Sequence, residues 1–163
     1  MRYFLIFSFC LFFITVNFGQ NKSEIDSSYQ ANISKSKLYG IYIPRDLDDA
    51  LQIIDKNTTD DGRASLRTID EETMAKKLYF GLGRWMEYQW NFVEGSRFSH
   101  YLREKGLKYT EDMVRFMLIT YHRHNIKAPL DTENLILQLV AERESKIKAE
   151  ENIISTKIVK KGE

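Results

Sequence analysis

The chain has 163 residues with 24 basic against 23 acidic side chains and a single cysteine. A balance that even gives no electrostatic pull toward nucleic acid or an anionic surface, and a lone Cys10 excludes a disulfide framework. With 43% hydrophobic residues, 13% aromatic and two prolines, the composition suits a small helical domain held together by packing.

Met1-Arg2 gives a short positive start, residues 3–18 are almost unbroken apolar sequence, and Gly19 precedes a polar stretch. That is the three-part plan of a secretory signal peptide over residues 1–19, cleaved after Gly19, so an exported location, periplasmic or extracellular, is expected. The run falls slightly short of the roughly 20 apolar residues of a membrane span and lacks basic residues on its far side. The membrane therefore enters only if the leader stays uncleaved. Acylation at Cys10 is rejected, because Phe9 stands where a small residue is needed.

Residues 20–37 are polar, rich in Ser and Asn, and without period, which reads as a flexible tether. A helical domain is expected over 38–151, with order beginning at residues 38–43. Pro44 stands at an expected first helical position, with Asp46, Asp48 and Asp49 in the favourable first turn. Leu47, Ala50, Leu51 and Ile54 recur at helical spacing. Residues 57–67 form a polar connector with room for one helical turn.

Thr68 and Glu71 make a capping-box pattern opening the second helix, whose stripe is Met74, Leu78, Leu82 and Trp85. Gly81 and Gly83 imply a bend there, or a close approach by another backbone. Ser96 is an expected cap for a third helix carrying Phe98, Tyr101 and Leu102, which ends at Gly106 with Leu107 folding back on Leu102.

Thr110 is an expected cap for the fourth helix. It is apolar on nearly every side from Met113 to Tyr121 and so central. Pro129 and Asp131 begin a fifth, with Leu135, Ile136, Leu139, Val140 and Ile147 inward and Glu142/Lys146 paired outside. Residues 152–163 read as a loose tail. The fold class is all-α, a small bundle of about five helices.

No chemistry announces itself. His122 and His124 are two apart, which points them to nearly opposite sides of a helix, and no Cys or acid completes a zinc set. Asn57, Thr59, Asp61, Gly62 and Ser65 fall at positions of a calcium loop, but Thr68 stands where the closing glutamate belongs. No metal and no cofactor is expected. The acidic pairs Asp48/Asp49, Glu71/Glu72 and Glu111/Asp112 lie in first turns, where the helix dipole accounts for them.

One constellation combines aromatic faces with cationic or donor groups: Trp85, Trp90, Arg97, His100, Tyr121, His122 and Arg123. Such a set suits recognition of a carboxylate, sugar or peptide, although tryptophans also anchor cores and cations also satisfy helix ends.

The run Phe80-Gly81-Leu82-Gly83-Arg84-Trp85, then Trp90, then residues 95–101, Glu111-Asp112-Met113 and Thr120-Tyr121-His122-Arg123 resembles a bacterial family of unknown function, DUF6794. Ile43-Pro44 fits its opening, and the likeness runs from about Leu38 to about Val140. The resemblance implies a shared all-helical fold and brings no activity or catalytic residue. The family carries an arginine and asparagines between its tryptophans; Glu87, Tyr88 and Gln89 stand there in this chain.

The functional expectation is an exported, non-catalytic helical module that binds a protein, peptide or envelope component. The alternatives are a small secreted hydrolase using Glu94 or His122, and an immunity-like protein that inhibits a partner enzyme.

Overall fold

The computed structural model describes residues 27–161, and side chains over 27–154. The expected leader and the start of the tether lie outside the described residues. Helix α1 (27–33) occupies the middle of the expected tether. Its Tyr29 is the reason, for one aromatic side chain in a polar segment finds a seat on the domain.

Strands β1 (Lys37–Leu38) and β2 (Ile41–Tyr42) then pair antiparallel, Leu38 opposite Ile41. The two residues between them, Tyr39 and Gly40, have φ of 50° and 82°. Two positive values are what a tight turn needs to match strand twist.

Helix α2 (Leu47–Asn57) starts three residues beyond Pro44, because Asp46 supplies the cap: its carboxylate accepts from the Asp49 N–H at 2.9 Å. Leu47, Ala50, Leu51 and Ile54 are buried, as their spacing demands. The connector holds a further helix, α3 (Asp60–Leu66), capped by Thr59 and burying nothing.

Helix α4 (Glu71–Leu78) is capped by Asp70, not by Thr68. An ionised carboxylate beside the helix outcompetes a hydroxyl, and the Thr68 hydroxyl donates back to the Ser65 carbonyl at 2.8 Å. The chain then passes through a π turn, Tyr79–Gly83, into α5 (Arg84–Gln89).

Helix α6 (Arg97–Glu104) opens on the expected Ser96, whose side chain and that of Ser99 form a reciprocal capping box. It closes at Gly106 with φ 109°. Leu107 N–H donates to the Leu102 carbonyl at 3.1 Å and Gly106 N–H to that of Arg103 at 2.9 Å. Both leucines are buried, so the turn carries its expected hydrophobic contact.

Helix α7 (Thr110–Asn125) is the centre, packing against α3, α4, the π turn and α5. Tyr109 rather than Thr110 holds its cap position and makes no side-chain bond there. The last helix, α8 (Thr132–Lys161), lies along α7 and buries Leu135, Ile136 and Leu139. It runs on through the segment expected to be a loose tail, since no glycine or proline interrupts it before Gly162.

The expected five helices are all present. The described residues are mostly helical, as the all-α class expects, with a small two-stranded hairpin and the short helices α1 and α3 in addition to the five. Among the described residues no helix is long and apolar enough to cross a membrane.

Candidate functional site

The seven residues singled out by chemistry take separate places. Trp90 is buried, edge-on to Trp85 at 5.5 Å and to Phe98 at 5.4 Å. Trp85 is partly exposed and lines a shallow depression with Ile54, Asn57, Thr58 and Leu82. Arg97 lies over the Tyr42 ring and donates through Nε to the Ile43 carbonyl at 2.9 Å, tying β2 to α6. Arg123 grips Glu71 with two bonds, at 2.7 and 3.0 Å, and donates to the Leu130 carbonyl at 2.8 Å. That ion pair holds the Arg123 pKa above its ordinary value.

His100 shares a hydrogen bond with the Tyr29 hydroxyl through Nδ1 at 3.0 Å and has Glu104 beyond its other nitrogen. His122 is buried, its Nε2 directed at the Ile69 carbonyl at 2.9 Å, so Nε2 carries the proton and donates. Its Nδ1 and the buried Tyr121 hydroxyl have no hydrogen-bond partner among the described residues. Burial pushes the Tyr121 pKa up, and the nearby Thr58 side chain offsets part of that. Arg97 and Arg123 thus brace different elements, and the structure does not gather the seven into one groove.

A basic depression lies where α2 and α7 end, lined by Arg63, Arg67, His124 and Lys127 among others. Its arginines serve carbonyls: Arg63 donates to Asp55 O at 2.7 Å and Thr58 O at 2.6 Å, and Arg67 to Asn125 O at 3.2 Å. His124 faces the Asp55 carboxylate at 2.8 Å. Among the described residues no cluster of three metal-ligating side chains forms.

The stronger candidate is a groove of about 870 Å³ between the hairpin and α5 with the turn that follows. The hairpin contributes Leu38, Tyr39 and Ile41; residues 84–94 contribute Arg84, Glu87, Tyr88, Gln89, Asn91, Val93 and Glu94. Tyr39 and Tyr88 are each 82% exposed and Val93 68%. The Tyr39 hydroxyl donates to Glu94 Oε2 at 3.3 Å, and Arg84 is paired with Glu87 at 2.5 Å. That pairing holds the Arg84 pKa above its ordinary value.

Sequence reasoning missed this set apart from Glu94. The available signal was a bulky aromatic directly before Gly40 in a two-residue turn, where asparagine or aspartate is favoured.

The model of a family described as a domain of unknown function, DUF6794, matches residues 43–125. The chain belongs to that family. The DUF6794 match is narrower than the likeness read from the motifs: it takes in α2 to α7 and leaves out the hairpin and α8. One wall of the groove therefore lies inside the DUF6794 span and the other outside it. No curated protein and no solved structure matches the chain.

Proposed function

We propose that this protein is an exported binding module that acts without catalysis, and that its binding surface is the groove between the hairpin and α5. Its ligand is a component met outside the cytoplasm. Export rests on the leader pattern of residues 1–19, with its charged start, apolar run and small residue before a polar stretch.

The observation that carries the binding surface is Tyr39. A left-handed backbone costs a side-chain-bearing residue about 1–2 kcal/mol, and Tyr39 recovers little of that by burial, since its ring is 82% exposed. The fold alone is better served by asparagine or glycine here. An exposed aromatic held at such a place, beside the equally exposed Tyr88, fits a surface kept for a ligand.

The hydrolase reading gains no such support. Glu94 is exposed and accepts from Tyr39, Glu87 is committed to Arg84, and His122 is inside the core.

Replacing Tyr88 with a photoreactive benzoyl-phenylalanine in the producing cell tests the surface. Irradiation should give an adduct from position 88 and none from the exposed Leu137 on α8. No adduct at 88 would dismiss the groove as the binding surface. Intact mass of the exported chain should show residues 1–19 removed.

A further inference from the structure

We infer that the ligand of the hairpin groove is a neutral glycan, bound by its sugar faces against the Tyr39 and Tyr88 rings and by its hydroxyls through Gln89, Glu94 and the side-chain oxygen of Asn91, whose amide nitrogen donates to the Gly95 carbonyl at 3.1 Å. This rests on the groove being the binding surface.

The lining decides between ligand classes. Two exposed tyrosine rings share the lining with planar carboxylate and amide side chains. A sugar ring has the matching design, apolar C–H faces inside a perimeter of hydroxyls that both donate and accept. Carboxylates supply acceptors only, while amides supply both kinds, so a polyol satisfies each of these groups in turn.

Other ligands fit worse. An extended peptide adding to a sheet needs a strand edge, and β1 and β2 are two residues long. An amphipathic helix needs a continuous apolar floor, and Glu87, Gln89, Asn91 and Glu94 break this one up. A phosphate or acidic chain would meet two carboxylates against one guanidinium, Arg84, which Glu87 already engages.

The volume of about 870 Å³ lies toward the upper end of the roughly 300–1,000 Å³ usual for small-ligand sites, so it suits several linked rings rather than one. The Tyr39–Glu94 bond at 3.3 Å is the groove's own latch, and a hydroxyl-bearing ligand can replace it.

Calorimetric titration of the full chain with chitotetraose, cellotetraose and maltotetraose tests the inference. Saturable binding of at least one is expected, with an affinity insensitive to salt because the sugar carries no charge. Tyr88→Ala and Tyr39→Asn should each weaken it at least tenfold. Tyr39→Asn should also hold or raise the melting temperature, since asparagine accepts the left-handed backbone, which separates lost binding from lost folding.

No binding of any of the three sugars, or binding that both substitutions leave unchanged, would overturn the glycan. If position 88 still gives a photo-adduct on a protein while all three sugars fail, the ligand class is wrong and the surface stands. If neither adduct nor sugar binding appears, both readings fall.

Discussion

Gly83 sits where the π turn passes α7, and a Cβ there would come within 2.7 Å of Val114 Cγ1. Gly81, two residues earlier in the same turn, has nothing within 4 Å of the place its Cβ would take. The pair is an internal control for close packing against backbone freedom. Gly83→Ala should lower stability by about 1–3 kcal/mol through overpacking, outweighing the roughly 1 kcal/mol that alanine gains in helical backbone. Gly81→Ala should keep that gain and stabilise by up to about 1 kcal/mol. Urea unfolding of the two variants checks both signs, and Val114→Ala added to Gly83→Ala should recover part of the loss. The sequence offers two readings of these glycines, a bend or a close approach. Which glycine meets which need depends on a helix far along the chain, so no local rule separates them.

Between elements, the joint of α7 and α8 is an ionic clamp. Arg143 donates to Asp112 Oδ1 at 2.7 Å and Oδ2 at 3.0 Å, and to Glu111 Oε2 at 2.6 Å, with its guanidinium over the Tyr109 ring. Asp112 is buried, so Arg143→Met would strand its charge, a loss of about 3–5 kcal/mol. The hydrogen bond from Arg143 holds Glu111 below its ordinary pKa of 4.5, and Gln138 and then Arg115 hold Glu142 below the same value. Depressed carboxylate pKa values contribute stability above 4.5 that is lost as pH falls through the lower folded values. In Arg143→Met the Glu111 share disappears. The melting-temperature penalty should therefore be largest at neutral pH and shrink in acid; a penalty that grew in acid would deny the clamp its role. The helices themselves follow from apolar stripes, and Ser96 and Gly106 from strictly local chemistry. Glu142 does not: the i, i+4 rule assigns it to Lys146, but Arg115 reaches it across the helix pair at 2.9 Å. Thr68 likewise loses its cap to Asp70. Spacing finds an element, while its neighbours decide what each polar side chain does.

At the scale of the molecule, the seven residues grouped by chemistry share a type rather than a place. Trp90 and Tyr121 fill the core, and Arg97 and Arg123 brace separate joints. The groove instead joins residues 38–41 to residues 84–94 across α2, α3 and α4, a juxtaposition that exists only once the chain is folded. The same distance between local pattern and assembled whole separates the family span from the folding unit. Residues 43–125 end with α7, yet Leu135, Ile136 and Leu139 of α8 are buried against that helix. Each such side chain contributes about 1.5–3 kcal/mol, so the three approach the roughly 5–15 kcal/mol that stabilises a whole domain. A chain ended after Asn125 also leaves Asp112 without Arg143 and Arg115 without Glu142. It should show no cooperative thermal transition by circular dichroism. A chain ended after Lys148 keeps all of these contacts and should melt as the full protein does. A cooperative transition at the full protein's temperature in the shorter chain would make α8 an appendage to the core rather than a part of it.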